Sequence, residues 1–352
     1  MIKTALTMKK SFLIISLILV LASCKKNDVQ KVNNNKVNNL PDTNFVVSIK
    51  PNNISNRFSH IDTTFNLLGY GYDVTGKYAD TSAVREQVID IVSFDKANPT
   101  LIYLNNGTST GTHNLASGNC IAFSKDLSSN LTSLNGQQQF KGSIVSVFNE
   151  NGLSSKYGYG KFDIYAIYST NYCFAPSELW SSFLTTSFKQ DLILLSPADL
   201  VKKYGTHILI NVITGAKLSI YYQAEVKGNN RYFATEEGLR FGLAKVFGIS
   251  TGALDPYNYM NLADISSPKM YVESMGGDQS NMKLTSNGKI TTVNWRAWSQ
   301  SLKSKETAFI DIGNTNGGIL PIYELISDPI KKALVSAYIQ NYLISNQVQV
   351  VN

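Results

Sequence analysis

An α+β fold is what this sequence predicts, on three observations. Strand-like and helix-like stretches alternate in long blocks. The 19 Tyr and 16 Phe, beside only 3 Trp, suit sheet faces more than helical bundles. A hydrophobic share of 43% with 16% charged residues fits a globular protein, and 352 residues are enough to bury a sizeable core.

The N-terminus stands apart from the fold. Lys3, Lys9 and Lys10 make a basic start, and residues 12–22 form an apolar run interrupted only by Ser16. That run is shorter than the roughly 20 residues a transmembrane helix needs. It ends in Leu21-Ala22-Ser23-Cys24, which resembles the lipobox of bacterial lipoproteins; an ordinary signal peptide containing a cysteine is the plainer alternative. The resemblance implies cleavage after residue 23 and lipidation of Cys24. Lys25 in place of Asp then points to the outer membrane, facing outward or inward. Losing three lysines and no acid lowers the formal charge from +7 to +4, too mild to argue for nucleic acid.

Residues 24–45 are rich in Asn and Lys with little to bury, and they read as a flexible tether. One domain is expected over residues 46–327, followed by a C-terminal helix and tail at 328–352. The clearest strand is residues 217–225, where Leu218, Ile220, Tyr222 and Ala224 alternate with Lys217, Ser219, Tyr221, Gln223 and Glu225. That pattern predicts an antiparallel sheet with one buried and one wet face. Residues 161–169 alternate less cleanly, with Phe162, Ile164, Ala166 and Tyr168 on one face and Tyr165 and Ile167 intruding on the other. Helices are expected over 176–189, 197–203 and 328–343, the last with Ile330, Leu334, Tyr338 and Tyr342 on its packing face. Cys120 and Cys173 are left as a pair that an oxidising envelope would permit to bridge.

Tyr204-Gly205-Thr206-His207 falls where a helix ends and an apolar strand begins. Taken alone, it is explained by a glycine helix end and one hydrogen-bonded core histidine. In order with three other blocks it resembles the signature of MACPF (membrane attack complex/perforin) proteins. Those blocks are Leu68-Gly69-Tyr70-Gly71-Tyr72-Asp73, Met275-Gly276-Gly277 and Pro321-Ile322-Tyr323-Glu324-Leu325, together covering roughly residues 67–326. The resemblance implies a bent central antiparallel sheet flanked by two helical clusters that unfurl into membrane-inserting β-hairpins. It makes His207 a fold marker, not a catalyst, and Gly276 and Gly277 a hinge in a central strand. It also implies a monomer in solution that becomes a homo-oligomer on membrane lipid, with an unknown receptor. An isolated hairpin would leave backbone groups unpaired in hydrocarbon, so insertion requires a closed ring.

By position the two clusters fall near residues 125–160 and 228–269. In the second, Leu239, Leu243, Val246 and Ser250 share a helical face. As a strand, Leu239, Phe241, Leu243, Phe247 and Ile249 alternate with Arg240, Gly242, Ala244, Gly248 and Ser250. Those five apolar residues are the membrane-insertion candidates. An amphipathic helix with accidental alternation is the competing reading, and Lys245 interrupts the apolar strand face. The first cluster, with Phe140, Ile144 and Val147 or Phe148, has helical spacing and no clean two-residue alternation.

Enzyme chemistry finds no support. His60, His113 and His207 lack metal-ligand spacing, and Gly69-x-Gly71 is followed by Val74 where a dinucleotide loop needs glycine. No serine sits in a nucleophile elbow, and Asp62, Asp73, Asp163 and Glu324 form no motif. The expected function is a pore-forming lipoprotein without metal or cofactor. The alternative is a non-lytic binding or adhesion protein, and a glycan-handling lipoprotein of another fold is a third reading.

Overall fold

In the computed structural model the alternation at 217–225 belongs to a 16-residue strand, Asn211–Val226, at the centre of the molecule. The structure describes residues 44–50, 64–131, 134, 138–252, 259–288, 291–302 and 307–351. Cys24, His60 and Asp62 lie outside them. The strands are β1 (Val46–Ile49), β2 (Tyr70–Tyr72), β3 (Val84–Gln87), β4 (Ile102–Ser117), β5 (Tyr157–Cys173), β6 (His207–Leu209), β7 (Asn211–Val226), β8 (Ile265–Met275), β9 (Lys283–Ser286), β10 (Thr291–Asn294), β11 (Ala308–Ile312) and β12 (Ile319–Pro321). The helices are α1 (Ile91–Ala97), α2 (Cys120–Leu127), α3 (Lys141–Phe148), α4 (Ser177–Trp180), α5 (Thr186–Leu194), α6 (Pro197–Tyr204), α7 (Arg231–Gly242), α8 (Tyr259–Leu262), α9 (Arg296–Gln300) and α10 (Pro329–Ser345).

The large sheet runs β1-β8-β7-β5-β4, with β11 also paired to β7. Pairs β4–β5, β5–β7 and β7–β8 are antiparallel, but β1 runs parallel to β8, so the sheet is mixed and not purely antiparallel as expected. Neither face of β7 is wet. Leu218, Ile220, Tyr222 and Ala224 pack beneath α7, while Lys217, Ser219, Tyr221 and Gln223 are buried on the opposite face, where Tyr221 joins the cluster formed by α2 and α3. Helical cover on both sides removes the exposed face that the polar alternation suggested.

The sheet bends along a row of register shifts. They fall between Asn106 and Ser109 in β4, Ile167 and Ser169 in β5, and Phe309 and Asp311 in β11. Extra residues of this kind bend and twist a strand locally. Gly215 sits in this row, and a Cβ there would lie 2.0 Å from the Ala166 carbonyl oxygen. Gly276 and Gly277, at φ +67° and +66°, lie not within a strand but just beyond β8. There β7 exchanges its partner, pairing with β8 from Lys217 onward and with β11 from Val212 to Gly215.

Several helix expectations are corrected. The span 176–189 is broken at Leu184, which is extended, and Thr185 starts α5 by accepting the Phe188 N–H at 3.2 Å. α6 begins at Pro197, with Ser196 accepting the Asp199 N–H. α10 is capped by Asp328, but it buries Val335, Ile339 and Leu343 rather than the predicted face. Ile330 and Leu334 stand 72% and 55% exposed, while Tyr338 and Tyr342 pack at the margin of the core. Cys120 and Cys173 do not pair; they are free, buried thiols in separate core clusters, and burial raises both pKa values. Gly215→Ala should lower the free energy of unfolding, measured in urea, by about 3 kcal/mol or more, because backbone atoms must separate at the bend.

Candidate functional site: two connecting segments on one bent sheet

Three of the four sequence blocks meet in the small sheet β12-β6-β2-β3. His207 pairs with Tyr72 on one side and Pro321 on the other. Gly205, at φ +78°, ends α6 so close to Tyr72 that a Cβ would lie 2.6 Å from its backbone. The Thr206 N–H donates to the Tyr72 carbonyl at 3.0 Å, and Ile322 donates to the Thr206 carbonyl at 3.0 Å. The Thr206 hydroxyl accepts from the Val74 N–H and donates to the Tyr72 carbonyl. With that hydrogen committed, His207 Nδ1, 2.9 Å away, is the donor to Thr206 Oγ1. Burial drops the His207 pKa to about 3, so the imidazole is neutral. Tyr204 completes the block by donating to Asp191 at 2.6 Å. The Gly205 turn, the Thr206 backbone and hydroxyl, and the Tyr204 hydroxyl thus tie α6 and β6 to β2, to the segment after β12 and to α5.

The connecting segments lie at the other end of the large sheet. One joins β4 to β5 and contains α2 and α3; the other joins β7 to β8 and contains α7 and α8. Register places Ser117 beside Tyr159, Tyr157 beside Glu225 and Val226 beside Ile265, so both segments leave from one end of four antiparallel strands.

The second segment lies on an apolar floor. α7 continues from Leu243 to Phe247 as a π-helical turn and stops at Gly248, φ +64°. The wider turn brings Leu243, Val246 and Phe247 to the sheet together with Leu239, where they meet Leu218, Ile220, Tyr222 and Met270. Ile249 packs at the margin, and Phe241 is buried beside Phe45, their rings 5.9 Å apart. The Lys245 ammonium stands 5.5 Å from the Phe241 ring. Glu237 is buried, accepts from Asn261 at 2.9 Å on one oxygen and, among the described residues, has no partner on the other. Burial raises its pKa.

The first segment covers a charged floor that the sequence did not disclose. Lys161 donates to Asp163 at 2.7 Å, Ser219 donates to the other oxygen of Asp163 at 2.6 Å, and Lys217 donates to the Ile310 carbonyl; all three charged residues are buried. Burial opposes the Asp163 charge, but Lys161 and Lys217 outweigh it and lower its pKa. Burial and the neighbouring Lys161 lower the Lys217 pKa. A cavity of about 270 Å³ opens beside these groups, lined also by Tyr78, Asp126 and Asp311. The one sequence signal for this layer was the spacing of Lys161, Asp163, Lys217 and Ser219, which is the same spacing a solvent face shows.

No family model matches the sequence, and no curated protein matches it. Solved structures do. The chain is similar to a protein with a MAC/Perforin domain from Bacteroides thetaiotaomicron, with TM-score 0.61 and 17% identity over 79% of this chain and 60% of that one. It is equally similar to GNIP1Aa from Chromobacterium piscinae, with TM-score 0.61 and 14% identity over 81% of this chain and 57% of that one. The fold is therefore that of MAC/Perforin domains, an α+β architecture on a bent central sheet. The chain spans less than two thirds of the length of either structure.

Two pH effects follow. The folded His207 pKa lies below its ordinary value, so the unfolded chain binds the extra proton first and stability falls as pH drops below about 6.5. His207→Gln should shrink the stability difference between pH 7 and pH 5, measured in urea, by about 2 kcal/mol. Glu237 has the opposite sign, because a raised folded pKa favours the protonated native state and stability is lost as pH rises through that value. Glu237→Gln should therefore raise Tm by roughly 2 °C at pH 8 and leave it unchanged at pH 4, where the carboxyl is already neutral.

Proposed function

We propose that this chain is a pore-forming effector, lipid-anchored through Cys24 at the outer membrane, that oligomerises and inserts β-hairpins into a target membrane. The observation that carries the reading is the position of the two connecting segments. Each links antiparallel neighbours at the same end of the sheet, so unfurling lengthens strands that already exist. Each contains roughly 40 residues, enough for two crossing strands of about 10 and a turn. The second segment also satisfies both periods: Leu239, Leu243 and Phe247 pack as a helix, and with Phe241 and Ile249 they alternate as a strand. The charged floor exposed by release of the first segment suits a wetted face.

One observation favours a non-lytic binding lipoprotein instead. Glu237 and Lys245 share the strand face of the apolar residues, and a lysine at mid-bilayer costs about 2–4 kcal/mol.

Dye release from vesicles of bacterial and animal lipid extracts separates the two, using the Cys24→Ser chain. A Cβ at Gly160 would stand 3.3 Å from the Leu239 Cβ, so Gly160→Cys with Leu239→Cys can lock the second segment to the sheet. Release that stops on oxidation and returns on reduction is the expected result. No release from any vesicle supports the binding reading.

A further inference from the structure

The cavity beneath the first segment is built by the sheet and by the segment itself. Lys161, Asp163 and Tyr165 line it from alternate positions of β5, Lys217 from β7 and Asp311 from β11, while Asp126 closes it from α2. At about 270 Å³ it lies just under the roughly 300 Å³ at which small-ligand sites begin. That is room for one ring and not for a chain.

Its inner side holds unspent donors. Lys217 is 6% exposed, and its ammonium carries three N–H groups. Among the described residues only the Ile310 carbonyl accepts from it. A buried donor without an acceptor is costly, so this side of the cavity calls for oxygen acceptors. The half-buried outer side has the opposite need. Asp126 accepts from the Ser117 hydroxyl at 2.6 Å through Oδ2. Asp311 accepts from the Tyr78 hydroxyl at 2.7 Å and the Ile312 N–H at 2.9 Å, both through Oδ1. Among the described residues nothing donates to Asp126 Oδ1 or Asp311 Oδ2, so this side calls for donors.

We infer that this cavity binds one neutral, hydroxyl-rich ring, a monosaccharide or cyclic polyol, between the sheet and α2. A hydroxyl both donates and accepts, so one ligand answers Lys217 on the inner side and Asp126 and Asp311 on the outer side. Net charge of either sign is disfavoured. An anion would meet Asp126, Asp163 and Asp311, and a cation would meet Lys161 and Lys217. Tyr78 and Tyr165 supply apolar ring faces for the C–H side of the ligand. Tyr165 has room to lie there because Gly111 is opposite it on β4, where a Cβ would stand 2.5 Å from the Tyr165 hydroxyl. A bound ring bridges β7 and β11 to α2, so it stabilises the closed first segment by mass action. The assignment is independent of the pore-forming reading, since a binding protein would use the same site.

The test uses the full-length Cys24→Ser chain and saturation-transfer NMR with single probes. Glucose, galactose, mannose, N-acetylglucosamine and myo-inositol are set against glycine betaine, inorganic phosphate and putrescine. At least one neutral ring should bind, and none of the charged probes. The bound ring should slow amide hydrogen exchange in α2 and leave α7 unchanged. Lys217→Met and Asp126→Asn each remove a charged hydrogen-bonding partner and should weaken binding about tenfold or more. Gly111→Ala, on the exposed β4, should also weaken it by displacing Tyr165, and it serves should Lys217→Met not fold. Binding of no ring overturns the assignment, as does preference for a charged probe. Exchange that slows in α7 and not in α2 overturns it too, as does binding that survives both Asp126→Asn and Gly111→Ala.

Discussion

The structure depends on how β7 is paired and covered. It lies against β5 along nearly its whole length, and on its other side it takes β8 and then β11. That exchange of partners makes the bend, which needs a residue without a side chain at Gly215 and the two positive-φ glycines beyond β8. Because β7 is central, both of its faces must be covered. Apolar side chains on one face are matched by α7, and on the other Ser219 bonds Asp163 of β5 and Lys217 bonds the Ile310 carbonyl of β11.

The two faces hold their covers by different physics. Beneath α7 the contact is apolar burial, each large side chain contributing roughly 1.5–3 kcal/mol. Beneath α2 and α3 the aromatic contacts of Tyr159, Tyr221 and Phe148 sit beside ion pairs and hydrogen bonds internal to the sheet. Lys161, Asp163 and Ser219 satisfy one another without the helices, so lifting the first segment breaks none of those bonds. Lifting the second exposes a continuous apolar surface, which favours release next to another apolar phase.

Much of this fold was legible in the sequence, and the misses have physical causes. Residues 161–169 and 217–225 alternated and are strands. The wet face assigned to Lys217, Ser219 and Gln223 failed because their polar groups are buried under helical cover, Lys217 and Ser219 on partners within the sheet core. β4, made of Asn, Thr, Ser and Gly through its middle, has strand geometry only because β5 supplies its ladder; nothing in its composition announces that. α10 was legible as a helix, but the choice of packing face needed the neighbouring core, which takes Val335, Ile339 and Leu343. The block at Tyr204–His207 was legible through its order with distant segments, and the small sheet explains why: Tyr72, His207 and Pro321 are adjacent. β1, with four paired residues, is too short to carry a periodic signal.

Membrane insertion as proposed requires residues 239–249 to exchange a helical period for a two-residue one. A series of single cysteines across that span, each carrying an environment-sensitive dye and read on vesicles during dye release, measures the period directly. Lipid entry is expected at Leu239, Phe241, Leu243, Phe247 and Ile249, with aqueous signals at Arg240, Gly242, Ala244 and Gly248. Signals that keep the spacing of three to four residues seen in solution would contradict it and leave the segment a helix packed on its sheet.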